Sequence, residues 1–227
     1  MSESPPPVRE EEFQAVDTTD EEEIRRYFRP FVGRLHSFLN ETSCLGDIQV
    51  IRRIKNPQIT SSQAFDEGYF STRPQHWYTH NAGGRNEAQF NIGMFPDYLR
   101  VGLGFEFRKA ADGDPEAVQE AYGQFTDVLR QHRQGFERLA QDNTLMVEWV
   151  PQGTTDIRYV RTQGALKWLT KPSKVPDWIF VGRLLGRRED AEILEDPIRL
   201  KEVMESVFRG LKNLWEESVG RSNEYSS

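Results

Sequence analysis

From Ile24 onward, apolar side chains recur at Tyr27, Phe28, Phe31, Val32, Leu35, Phe38 and Leu39, the spacing of an amphipathic helix that Pro30 should kink or split. Just ahead, Thr19 and Glu22 have the form of a capping box, and Asp20 to Glu23 stand where the positive end of a helix dipole favours acids. After Asn40 the period shortens, and β-strands are predicted over 47–54, 75–80, 88–95 and 98–108. The last is the sharpest. Leu99, Val101, Leu103, Phe105 and Phe107 alternate with Arg100, Gly102, Gly104, Glu106 and Arg108, as in a strand with one buried face. Pro96-Asp97 between Phe95 and Tyr98 makes residues 88–108 a hairpin, and the glycines on its polar face leave room for another backbone or a ligand.

Asp114 and Pro115 are set to cap and open a helix running to about Ala140, with Val118, Tyr122, Phe125, Val128, Leu129, Phe136 and Leu139 on its stripe. Strands are predicted over 145–150, 157–160 and 178–185, with a short helix over 163–169. Asp196-Pro197 opens a terminal helix with its stripe at Leu200, Val203, Met204, Val207, Phe208, Leu211, Leu214 and Trp215. Strands in the middle with long helices before, between and after them predict an α+β domain: a mostly antiparallel sheet of five to seven strands flanked by long amphipathic helices. A doubly wound parallel sheet would need strand and helix to alternate throughout. The expected organisation is a disordered acidic leader over 1–18, a single domain over 19–220 and a flexible tail over 221–227.

Charge alters this picture through its distribution. The 227 residues carry a formal charge of -7, yet residues 1–23 hold nine acids and one base. The remainder is nearly neutral, with an excess of bases in 24–110 and 143–188 and an excess of acids in 111–142 and 189–227. The strand and loop blocks are basic and the two long C-terminal helices acidic, so a positive field can exist on a chain with a pI near 5.3. Its contributors would be drawn from Arg52, Arg53, Lys55, Arg73, Arg85, Arg100, Arg158, Arg161, Lys167, Lys171, Lys174, Arg187 and Arg188, unless the acidic helices neutralise them. The single cysteine, Cys44, cannot form an internal disulfide, which fits a reducing cytoplasmic setting. The acidic, proline-bearing first residues and the lack of a long apolar run predict neither secretion nor membrane insertion, so no membrane partner is expected.

The most unusual segment is 74–91, which gathers His76, Trp77, Tyr78, His80, Asn81, Gly83-Gly84, Arg85, Asn86 and Asn91. Stacking on a planar ring needs an aromatic wall, and reading the ring's edge needs amides. A nucleobase pocket would therefore use Trp77 or Tyr78 as the wall, Asn81, Asn86 or Asn91 at the edge and Arg85 for phosphate; the alternative places Trp77 in the sheet core. Phosphate contacts would come from Arg52, Arg53 and Lys55, from Arg158 and Arg161, and from Lys167, Trp168, Lys171 and Lys174, where an aromatic is interleaved with bases. His76 and His80 lack a third ligand, so neither a metal nor another cofactor is expected. A nuclease of the PD-(D/E)xK type would have to use Asp97, Glu106 and Arg108, with arginine standing where that motif needs lysine. Cys44 and His36 have no orienting third group, and no nucleophile elbow or phosphate-binding loop is present.

The stretch 84–94, its continuation 99–107 and the strand 178–184 resemble, in texture and order, the small α+β reader domains found with McrBC-type modification-dependent restriction systems. That resemblance covers about a third of the chain. It implies a DNA-recognition part that takes a modified or flipped base into an aromatic pocket, while a separate motor or nuclease subunit cleaves. The expected function is therefore DNA binding in a restriction or antiviral defence system; the alternatives are the divergent nuclease and a non-catalytic protein-interaction subunit.

Overall fold

Caps and prolines set the helix boundaries. The computed structural model describes residues 4–17, 20–41, 50–51, 75–79, 89–105, 107, 114–143, 145–150, 158–161, 175–176 and 178–224. Helix α1 spans Glu10–Asp17, and a turn α2, Glu21–Glu23, leads through a π-helical turn at Ile24–Phe28 into α3, Arg29–Glu41. Asp20 caps the turn, its carboxylate accepting from the backbone N–H of Glu22 at 2.8 Å and of Glu23 at 3.2 Å. Pro30 supplies no N–H and crowds the carbonyl four residues earlier, which accounts for the wider π turn immediately before it. Asp114 caps α4, Pro115–Gln131, by accepting from Glu116 N–H at 3.0 Å, with Pro115 in the first turn as expected. The expected single helix to Ala140 is in fact two. His132 leaves helical geometry at φ -99°, ψ 16°, and α5 resumes over Arg133–Asn143. Near the C-terminus lie α6, Ala191–Leu194, and α7, Pro197–Glu224, whose first turn is capped by Asp196. The helix thus continues past Arg221, where a flexible tail was expected; residues 225–227 and the predicted helix over 163–169 lie outside the described residues.

The strands are β1 (Val50–Ile51), β2 (Gln75–Thr79), β3 (Gln89–Met94), β4 (Tyr98–Phe105), β5 (Met146–Val150), β6 (Arg158–Arg161) and β7 (Trp178–Gly186). Their order in the sheet is β1-β2-β3-β4-β7-β5-β6. The pairs β1/β2, β2/β3, β5/β6 and β5/β7 are antiparallel. The protein is therefore α+β with an antiparallel sheet. Two compact units emerge: residues 1–79, 91–101 and 184–205 form the first, and residues 80–90, 102–183 and 206–227 the second.

In the first unit the core gathers Phe31, Leu35, Phe38 and Leu39 of α3, Ile92 and Met94 of β3, Leu99 and Val101 of β4, and Leu194, Leu200 and Met204. It also takes in the N-terminal segment. Val8, Phe13 and Ala15 are each 1% exposed, and Val8 N–H donates to the Leu194 carbonyl at 2.8 Å. The disordered leader is thus corrected: the acids of residues 10–12 ride on a helix whose apolar side is buried, at ~1.5–3 kcal/mol for a side chain the size of Val or Phe.

The second unit closes on aromatic rings. Phe105 lies 4.3 Å from Phe125, and Phe107 lies 5.4 Å from Tyr122 and 5.5 Å from Phe125, centroid to centroid. Strand β4 is buried along its whole length after Tyr98, which overturns the single buried face expected from its alternation. Gly102 shows why. A Cβ there would sit 2.8 Å from the Phe180 ring and 2.6 Å from Gly182 Cα, so the absent side chain is what lets the neighbouring strand β7 and its Phe180 ring approach that position.

Candidate functional site

Strand register decides which of the proposed base-reading residues can act together. In β2 and β3, Trp77 is opposite Ile92, Tyr78 opposite Asn91 and His76 opposite Gly93. Successive strand positions alternate between faces. Positions 76, 78, 91 and 93 therefore share one face, and positions 77 and 92 share the other with Met94. Ile92 and Met94 are 2% and 0% exposed, so position 77 belongs to the apolar, core-facing side of the strand pair. A pocket built on Trp77 and Tyr78 together is not available from this strand. Tyr78 and Asn91 are brought together as register partners.

Arg100 adds a charge to that face. It lies against Gly93, where a Cβ would stand 2.7 Å from its Nε, and its guanidinium lies 4.9 Å from the Phe95 ring centroid. Phe95 in turn stacks on Tyr98 at 4.4 Å with the rings 12° from parallel. The backbone N–H of Phe95 donates to the Tyr98 carbonyl at 2.9 Å, closing the Pro96-Asp97 corner. Arg100 is only 3% exposed, one of three buried polar or charged side chains among the described residues, with Glu12 and Thr126. A guanidinium stacked on a ring and enclosed by a glycine is a fixed positive charge, with its desolvation offset in part by the aromatic face. The alternation of residues 98–108 marked position 100 as polar; its burial depends on Gly93 across the hairpin, which no local pattern reveals.

A second polar constellation joins the corner after β7 to the N-terminus. Arg187 Nε donates to Glu10 Oε2 at 2.6 Å and its Nη2 to Glu10 Oε1, a two-pronged pair. Arg187 Nη1 also reaches the Pro96 carbonyl at 3.2 Å, and Arg187 backbone N–H donates to the Asp97 carbonyl at 2.8 Å. The guanidinium carbon stands 5.8 Å from the Phe13 ring centroid. Glu10 of α1 thereby meets the residue that also bonds the hairpin corner. Nearby Glu12, 8% exposed, accepts from Arg9 N–H at 2.9 Å; burial holds its carboxyl above the usual carboxylate range, against the lowering effect of that hydrogen bond. The sequence placed Arg187 and Arg188 among the sources of a positive field without singling them out, because the partner of Arg187 lies at the opposite end of the chain.

Of the remaining predicted residues, Arg158 and Arg161 lie in β6, opposite Trp149 and Met146 of β5. Three positions apart on a strand, they fall on opposite faces and do not form one phosphate-binding row. Asn81, Arg85 and Asn86 lie outside the described residues, as do Arg52, Arg53, Lys55, Lys167, Trp168, Lys171 and Lys174. Of the nuclease candidates, Asp97 is exposed in the hairpin corner, and Glu106 and Arg108 lie outside the described residues. Among the described residues, no group of three or more His, Cys, Asp or Glu is arranged to hold a metal ion, and no helix is long and apolar enough to cross a membrane. No protein-family model matches the chain, and no curated protein is similar to it in sequence.

Proposed function

We propose that this chain is a non-enzymatic DNA-binding module that reads a modified or flipped base for a cytoplasmic restriction or defence system, with cleavage left to a separate motor or nuclease subunit. The observation that carries this reading is the polar face of β2–β4. There an aromatic position, Tyr78, stands opposite an amide position, Asn91, on the face that holds the buried Arg100. Stacking, edge recognition and charge complementarity are the three interactions an extruded base requires. The likeness of residues 84–94, 99–107 and 178–184 to McrBC-type reader domains supports the same reading, as does the basic character of 24–110 and 143–188. In it, arginines and lysines from 52–55 and 158–174 supply the phosphate contacts.

Fluorescence anisotropy with modified and unmodified DNA duplexes tests the proposal. Binding is expected at low salt, favouring the modified duplex and weakening steeply as salt rises. Tyr78→Ala should lower affinity by roughly tenfold or more, the loss of one stacked base. Absence of binding to either duplex at low salt would end the proposal, and DNA cleavage with Mg²⁺ or Mn²⁺ that disappears in Asp97→Ala would replace it with the nuclease.

A further inference from the structure

We propose that the Arg187 guanidinium is a phosphate-binding group which the Glu10 carboxylate occupies in the free protein, making the acidic helix α1 a built-in competitor of DNA. This inference rests on the DNA-binding reading above. A carboxylate gripping the Nε/Nη2 edge of an arginine uses the same parallel donor pair that a phosphodiester would use. Glu10 therefore holds the place of a phosphate. Both ends of the pair can be reached from solvent, the Arg187 side chain being 22% and the Glu10 side chain 55% exposed, and the next residue, Arg188, is exposed.

Two strengths of attachment separate the ion pair from the helix that carries it. A solvent-accessible pair contributes little, because water and salt replace much of its Coulomb attraction. Val8, Phe13 and Ala15 are fully buried, and Val8 is tied by its backbone to Leu194, so the helix itself is held by the hydrophobic effect. Exchange thus needs only a side-chain rotation of Glu10, with α1 left in place. Gln14 already donates to Glu10 Oε1 at 3.1 Å and offers the displaced carboxylate a partner on its own helix. Arg187 keeps its backbone bond to Asp97 and its contact with the Pro96 carbonyl, so the guanidinium stays positioned when its partner changes.

The test compares Glu10→Gln with Glu11→Gln, since Glu11 is exposed on the same helix and carries the same charge. In anisotropy with a short DNA duplex at low salt, E10Q should bind about two- to fivefold more tightly than the parent. E11Q should change binding less, and the gain should vanish in the double variant E10Q/R187Q. Equal gains in E10Q and E11Q, or a gain that survives in the double variant, would overturn the inference. If no form binds DNA, the functional reading fails, and the anion site is read separately by the rise in melting temperature on adding inorganic pyrophosphate. A larger rise for E10Q than for the parent and the double variant sustains the site; equal rises, or none, refute it.

Discussion

Around Phe125 the second unit is packed with rings, and its buried polar group, Thr126, satisfies itself locally by donating to the Gly123 carbonyl at 2.8 Å. The first unit buries a carboxyl at Glu12 and a guanidinium at Arg100, and it ties Glu10 to Arg187 across 177 positions of sequence. Among the described residues, the second unit centres on rings and keeps its ion pairs, such as Arg130–Asp127, on exposed helix surface; the first places charges inside. Buried charges cost several kcal/mol unless well surrounded, so the first unit carries a cost that the ring cluster does not.

The comparison can be broken most severely at the ring cluster. Phe125→Ala should cost ~3–5 kcal/mol in urea unfolding, the value for a large aromatic removed from a well-packed core. A loss under ~1 kcal/mol would mean the rings are loosely held and the contrast with the first unit is mistaken. Glycines give a sharper version. Gly93→Ala should destabilise by about 1–3 kcal/mol, since its methyl would collide with Arg100 Nε and the Phe95 ring, 2.7 and 2.9 Å from the new carbon. Gly123→Ala, on α4 with nothing within 4 Å, should stabilise by ~0.5–1 kcal/mol through helix propensity. Equal effects at the two sites would show that Arg100 yields easily and is not a fixed charge.

The smallest effect concerns Glu12. Burial raises its carboxyl above the ordinary value, so the folded state favours the protonated form. The stability that this carboxyl contributes is fully present below the ordinary carboxylate pKa and lost as pH rises through its raised value. At neutral pH, Glu12→Gln should raise the melting temperature by about 1–2 °C while keeping an acceptor for Arg9 N–H. The gain should shrink on acidification; a gain independent of pH would locate its origin elsewhere.

Boundaries governed by neighbours in sequence were legible. Asp114-Pro115 and Asp196-Pro197 begin helices because a cap acceptor and a ring-fixed φ act within one turn. The α+β character followed from the same local periods. Trp77 and Tyr78, adjacent in sequence, were equivalent candidates for a stacking wall; an extended backbone sends neighbouring positions to opposite faces and so separates them. The burial of both faces of β4 was hidden because one covering ring, Phe180, comes from a strand distant in sequence. At the N-terminus, counting acids obscured three well-spaced apolar residues, Val8, Phe13 and Ala15, which anchor the segment. Charge density describes a disordered chain only when no apolar side is left to bury.

The long span between Glu10 and Arg187 also sets a schedule for synthesis. At about 5–20 residues per second, the N-terminal segment leaves the ribosome many seconds before the corner at 186–194 that receives it exists. Through that interval Val8 lacks its backbone partner and Phe13 the guanidinium that faces its ring. The contacts of this segment with that corner therefore form only after the corner has been made. Its run of glutamates, whatever its part in the finished protein, keeps the waiting segment charged and well solvated.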